Sequence, residues 1–254
     1  MEPAAMFTPY RPTGRELDAR DCHTHHMTDD ILHLQVPLAA ALIGYFCLHS
    51  LLASLWMKQH VARRWPSFMP AYRLAFNGLS VVMLIPLLWI AQRNPGPLLW
   101  AWTGAAAWLM KGLAVAAVLG FLFSLRIYDN GVFLGLKQWR NRHRTLMDPE
   151  QFHLSPLHRF VRHPWYFFLL VLLWSQNIHL TQLTVYGLIT LYLTVGSRLE
   201  ENKLIEQHGE VYRQYRRKVA GLVPLPWRWL NRTEAETLLA SLPPPGKNPK
   251  LRQP

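Results

Sequence analysis

Two nearly uninterrupted apolar runs, VPLAAALIGYFCLHSLLASLW (Val36–Trp56) and WLMKGLAVAAVLGFLFSL (Trp108–Leu125), constrain this chain more than anything else in it. Each approaches the roughly 20 helical residues that cross a bilayer core of about 30 Å, and neither shows the polar face that a soluble helix of that length needs. The 254 residues are half apolar, and the apolar ones are clustered, so the near-zero mean hydropathy reflects a polar head, a polar tail and basic connections. The expected class is an all-α polytopic membrane protein. About five transmembrane helices are predicted: Ile31–Trp56, Leu74–Gln92, Ala105–Leu125, Trp165–Asn177 and Leu180–Gly196. The last two are short and joined by SQNIHLTQ, which reads as a tight helical hairpin. Leu98–Thr103, with two tryptophans, extends the third helix or lies at the interface.

The Lys/Arg bias predicts the sides. Lys58, Arg63, Arg64 and Arg73 follow the first helix, seven basic residues from Arg126 to Arg162 follow the third, and Arg198 to Lys218 supply six more after the fifth. The alternate connections carry only Arg93, which places the N-terminus outside and the C-terminus in the cytoplasm. The net charge of +12 then reflects sidedness and anionic lipid. Nucleic acid is not an expected partner, because KQWRNRHR lies beside membrane spans and reads as a cytoplasmic loop.

The first apolar run begins only after Asp29 and Asp30, so no cleavable signal peptide is expected. The head, residues 1–30, reads as disordered and extracytoplasmic. Its Cys22, His23, His25 and His26 could in principle ligate a metal, but their spacing matches no standard zinc pattern, and none is assigned. Cys22 and Cys47 sit in different environments and give no disulfide framework. Residues 231–254, ending PPPGKNPKLRQP, read as a disordered tail.

The remaining polar information converges. Arg162, His163, Pro164 and Tyr166 precede the fourth helix, while Arg198, Glu200 and Glu201 leave the fifth. A hairpin of two antiparallel helices brings its two ends side by side at one membrane face. Taken singly, these residues suit a snorkelling cation, an aromatic belt and acids at a helix start; together they point to a site. Beyond them NKLIEQHGEVYRQYRRKVAGLVP reads as an amphipathic cytoplasmic helix interrupted at Gly209, with Tyr212 and Tyr215 on its apolar face as a surface contact or as a lid over the junction.

The ordered set RHPWY (Arg162–Tyr166), RLEE (Arg198–Glu201), G-x-x-Y-x-x-Y (Gly209–Tyr215) and V-x-x-L-x-P (Val219–Pro224) resembles the isoprenylcysteine carboxyl methyltransferase-like superfamily of membrane methyltransferases. Upstream, HSLLAS (His49–Ser54), YRLAFN (Tyr72–Asn77) and LGLKQW (Leu134–Trp139) are similar to the membrane halves of methanethiol S-methyltransferases and of the related nitrite-reduction accessory family. The resemblance implies a three-helix membrane region over 31–130, a methyltransferase-like region over 131–230 and residence in a bacterial inner membrane.

It also implies an S-adenosylmethionine site without a Rossmann domain, in keeping with the lack of a Gly-rich turn after a strand. Cofactor-binding positions carried over are Arg162, His163, Tyr166, Glu200, Glu201, Tyr212 and Tyr215; catalytic candidates are Arg162, Arg198 and Glu201, and no metal is expected. The implied acceptor is a small thiol or a lipid-soluble molecule reached from the membrane, with membrane lipids as surroundings. Methyl transfer from a sulfonium favours a dry pocket, and a thiol acceptor needs its thiolate, which nearby cations favour. Phe168 stands where the family commonly has glycine. The alternative implied by the accessory family is a haem-binding protein without methyl transfer, with His49 as ligand; a plain helix-to-helix hydrogen bond is the competing reading of that histidine.

Overall fold

The computed structural model describes residues 14–126, 129–142 and 154–241, with side chains described from His33 onward. Three helices among the described residues carry segments long and apolar enough to cross a membrane: His33–Ala53 within α1 (Gly14–Ala53), α3 (Met69–Arg93) and α4 (Gly104–Ser124). Their lengths correspond to about 30 to 37 Å of helix at 1.5 Å per residue. α1 begins at Gly14, inside the segment expected as a head; the side chains of Cys22 and its histidines lie outside the described ones. Ser54 separates α1 from α2 (Leu55–Arg64), its hydroxyl donating to the Leu51 carbonyl and accepting from the Met57 amide. α3 takes Pro70 into its first turn, where a missing N–H removes no helical bond.

The outer faces are uncovered: Val82, Trp108, Leu109 and Leu119 on α3 and α4 each expose more than half of their surface. Apolar area on that scale is met by lipid, and the chain is an all-α membrane protein. Where the helices meet one another, Leu38 and Leu42 of α1, Ala91 of α3 and, further along the chain, Val185 and Tyr186 form a common core.

The expected hairpin forms with unequal arms. α7 (Pro164–Trp174) has 11 residues, about 16 Å of helix, and so does not reach across a bilayer by itself. α8 (Leu180–His208) has 29 residues and runs without a break through Gly196 and the two glutamates to Gly209, which turns the chain at φ +59°. The turn between α7 and α8 needs partners for its backbone. It finds them in the α3–α4 connection: β1 (Leu98–Trp100) pairs antiparallel with β2 (Ile178–His179), and the Leu180 and Thr181 amides donate to the Pro97 and Pro95 carbonyls at 3.0 and 3.1 Å. Leu98–Trp100 is therefore a strand and does not extend α4.

The three upstream motifs interlock. The Tyr72 hydroxyl donates to the Leu52 carbonyl at 2.6 Å, Arg73 donates to the Val132 carbonyl at 3.1 Å, and Asn77 donates to the Phe133 and Leu134 carbonyls, both at 3.2 Å. α5 (Asn130–Leu134) and α6 (Leu136–Arg140) meet at Gly135, whose φ of +91° and close approach to the Leu74 amide leave no room for a Cβ.

Beyond α8, α9 (Glu210–Lys218) and α10 (Arg232–Ala240) close a second core of Tyr212, Tyr215, Val219, Leu230, Ala235 and Leu238. The segment from 231 expected as a disordered tail is thus ordered over α10. Asn231 and Glu234 form a reciprocal capping box, and Ala235 and Leu238 supply the buried face that the sequence reading overlooked.

Phe168 lies on this fold's α4–α7 seam. A Cβ added to Gly120 of α4 would sit 2.6 Å from the Phe168 ring, so the bulky residue is accommodated by a glycine on the facing helix. Gly120→Ala is expected to lower the thermal unfolding midpoint in detergent, with an overpacking penalty of about 1–3 kcal/mol. Adding Phe168→Leu should recover part of that loss. Additive effects of the two substitutions would contradict the pairing.

Candidate active site

Pro164 fixes where α7 starts. It occupies the first helical position, and the residue before a proline is pushed out of the α region; His163 accordingly has φ −123°, ψ 73°. Arg162 and His163 are thereby kept out of the helix, directly before its first turn. The Arg162 amide donates to the Ala220 carbonyl at 2.8 Å and the His163 amide to the Gly221 carbonyl at 3.2 Å. The closing Val219–Pro224 motif is the strand-like partner of the RHPWY motif.

Glu201 lies at the centre. Its Oε1 accepts from Arg162 Nε at 2.8 Å and faces His163 Nε2 at 3.2 Å, and its Oε2 pairs with Arg216 Nε at 3.2 Å, with only 4% of the side chain exposed. Arg162 also donates through Nη1 to the Arg216 carbonyl at 2.9 Å and to that of Val219. One buried carboxylate therefore draws α7, α8 and α9 to a single point. His163 has the half-exposed Glu200 carboxylate 3.6 Å from its Nδ1, and its ring lies parallel to that of Tyr166, with centroids 5.3 Å apart and planes within 9°.

Burial acts to raise the Glu201 carboxyl pKa, but hydrogen bonds from His163 and Arg162, with their charge, outweigh it and hold the group below its usual range. Burial, followed by the negative charge of Glu201, pushes the Tyr212 phenol upward and keeps it protonated.

The structure brings together Arg162, His163, Tyr166, Glu200 and Glu201, with Tyr212 beneath them in electrostatic contact. Arg198 does not join this ion cluster; it is exposed on α8. Tyr212 and Tyr215 are 1% and 2% exposed, and the Tyr215 hydroxyl donates to the His158 carbonyl at 2.7 Å, so they are packed core and the lid reading is corrected. Phe168 points elsewhere than Tyr166: two positions along a helix are about 200° apart, and its ring faces α4. Arg216 was missed because it falls among the charges of an amphipathic helix. Its spacing of four from Tyr212, which puts both on one face, was the available signal. A cavity of about 400 Å³ lined by Ile205, Arg213, Arg216, Arg217 and Arg228 opens beside it.

His49 occupies the membrane half below. Its Nδ1 is 3.0 Å from the Ser80 hydroxyl, a hydrogen bond between α1 and α3, in line with the helix-to-helix reading of this residue.

Similar proteins bear on this arrangement. Methanethiol S-methyltransferase 2 of Bradyrhizobium diazoefficiens is 31% identical over 185 residues, covering 68% of this chain and 71% of the relative. Methanethiol S-methyltransferases of a Pseudomonas species, strain GM41, and of Mycobacterium tuberculosis are each 30% identical, covering 75% and 74% of this chain and 74% and 77% of the relatives. The chain belongs to the methanethiol S-methyltransferase family. That family lies within the isoprenylcysteine carboxyl methyltransferase-like group, and the chain is a membrane methyltransferase. These relatives all carry methyltransferase names, and the haem-binding alternative is not favoured. No family model and no solved structure matches the chain.

Because the folded-state pKa of Glu201 is depressed, its stabilising contribution is complete above the unfolded-state carboxyl pKa and disappears as pH falls through the folded one. Glu201→Gln should therefore destabilise the protein at neutral pH by about 3–5 kcal/mol, since it leaves Arg162 buried without its anion. Thermal unfolding of both proteins from about pH 7 to about pH 3 should show the midpoints converging toward acid. Parallel curves would contradict the assignment.

Proposed function

We propose that the chain transfers a methyl group from S-adenosylmethionine to methanethiol or a thiol of that size, inside the cytoplasmic half of a bacterial inner membrane. The observation that carries this reading is the convergence of the motif residues on Glu201 in a chain of this family. The N-terminus faces outward and the C-terminus the cytoplasm, as the Lys/Arg bias suggests.

The residues present fit the methyl donor. Glu200, half-exposed beside His163, is the carboxylate placed to meet an ammonium group, whereas Glu201 is committed to two guanidiniums and an imidazole. Arg162, Arg216 and the neighbouring arginine-lined cavity favour a carboxylate, and the Tyr166 face suits a sulfonium. When bound, S-adenosylmethionine supplies an activated methyl group on a positively charged sulfur. The protein's part is to orient it, to exclude water and to leave the acceptor in its anionic form. Arg162, His163 and Glu201 act here as the frame that fixes Tyr166 and Glu200; Tyr212 and Tyr215 support that frame from below. Arg198, exposed on α8 close to Glu200, contributes positive potential for an acceptor thiolate.

Calorimetry of the purified protein with S-adenosylmethionine tests this reading. The wild-type chain should bind, and Glu200→Gln should weaken binding by roughly 10- to 100-fold, the worth of one charged hydrogen bond of about 1.5–3 kcal/mol, without moving the unfolding midpoint. Absence of binding at millimolar donor overturns the proposal, and so does a haem Soret band in the purified protein with no affinity for the donor.

A further inference from the structure

A thiol acceptor must lose its proton, and the imidazole of the His163–Glu201 cluster is held between two carboxylates. Glu201 accepts only, so His163 Nε2 at 3.2 Å carries a hydrogen toward it, while Nδ1 faces the Glu200 carboxylate. Both ring nitrogens are turned to carboxylates. The second histidine of this membrane half is arranged in the opposite sense. Ser80 donates its single hydroxyl hydrogen to the Phe76 carbonyl at 2.7 Å, as a serine does to the preceding turn of its own helix. Its oxygen can then only accept from His49 Nδ1 at 3.0 Å. That fixes the tautomer: Nδ1 holds the hydrogen, and Nε2 of the neutral ring holds a lone pair.

The surroundings suit a small thiol. The His49 ring is walled by Tyr45, Phe76 and Tyr192, with centroids 5.8, 4.8 and 6.2 Å away, and sulfur packs well against aromatic edges. Ser50, exposed toward the lipid side, lies 3.2 Å from the Tyr192 hydroxyl, so the cluster can be reached from the bilayer. Tyr45 and Tyr192 are the titratable groups facing the imidazole; α3 presents only Phe76 and Ser80. The cluster also adjoins the proposed donor site. Tyr192 precedes Glu201 by nine residues, about 13 Å along α8, and the Tyr166 hydroxyl lies within electrostatic reach of both Tyr192 and Glu200.

We propose that His49 is the general base of the reaction, accepting the proton of a small thiol bound among Tyr45, Phe76 and Tyr192. The proton passes from the acceptor sulfur to His49 Nε2, and the thiolate forms a bond to the methyl carbon of the sulfonium donor. The donor carbon–sulfur bond breaks, its electron pair stays on the donor sulfur, which becomes a neutral thioether, and the imidazolium later releases its proton to water. This inference rests on the methyltransferase reading above.

His49→Asn tests it, because the asparagine amide can still donate to Ser80 while the base is gone. At about pH 7 the variant should bind S-adenosylmethionine as the wild type does but lose roughly 100-fold or more in kcat on ethanethiol. The loss should shrink at alkaline pH and with an aryl thiol, which is already ionised near neutrality. Ser80→Ala, which releases the tautomer, should show a smaller loss with the same dependence on thiol acidity. Independently of turnover, nitrogen-15 spectra of ring-labelled histidines should contain one unprotonated Nε2 resonance that is absent in His49→Asn and that shifts when ethanethiol is added without donor. Equal losses on alkyl and aryl thiols, or an Nε2 resonance indifferent to thiol, overturn the assignment of His49 while leaving the methyltransferase reading intact. A wild-type protein that binds the donor yet methylates no thiol overturns both.

Discussion

A single buried carboxylate organises the polar end of this protein. Glu201 is reached by a guanidinium and an imidazole from the start of α7 and by a second guanidinium from α9, and each contact joins a different part of the chain to α8. A charge buried to this degree is expensive to desolvate, and only close partners that satisfy both oxygens keep the net contribution favourable. The geometry meets that condition, and its consequence is positional. Pro164 can start a membrane helix directly after two polar residues because those residues are already neutralised and their amides are taken up by Ala220 and Gly221. Tyr166 and Glu200 are then both set against His163, one from each arm of the hairpin.

The membrane half serves this arrangement by a different means. Its helices expose apolar faces to lipid and hold one another through a few polar contacts, which gain from the absence of competing water. Tyr72, Arg73 and Asn77 tie α3 to the end of α1 and to the α5–α6 loop, so the motif residues upstream act as structural fasteners. Phe168 belongs with them. Its ring is received by Gly120, on the face of α7 away from Tyr166, so the bulk of this residue is answered on the neighbouring helix.

Much of this was legible in the sequence because the responsible signals are strong ones. Long apolar runs announce lipid, a proline preceded by charge fixes a helix start, and Gly209 marks the end of α8. Arg162, His163 and Glu201, separated by nearly forty positions, could be brought together because a hairpin leaves its two ends no other place. What escaped depended on partners distant in the chain. The 11 residues of α7 read as a span by hydropathy alone, and β1 has no pattern of its own until the α7–α8 turn supplies its hydrogen-bonding partner. α10 looked like tail because its buried face consists of an alanine and a leucine, and only the Tyr212–Tyr215 core gives them something to cover. Arg216 looked like any other charge on an outer face. The His49 tautomer was out of reach for the same reason: it follows from where Ser80 sends its hydrogen.

If this junction delivers a methyl group to a thiol that arrives through the membrane, the donor's methyl must appear in the product. Headspace mass spectrometry on the protein reconstituted in lipid, supplied with methanethiol and S-adenosylmethionine bearing a trideuterated methyl group, tests it most directly. The expected product is dimethyl sulfide carrying one labelled and one unlabelled methyl, formed in proportion to the enzyme present. Unlabelled dimethyl sulfide alone, or no dimethyl sulfide from protein that binds the donor, would contradict it.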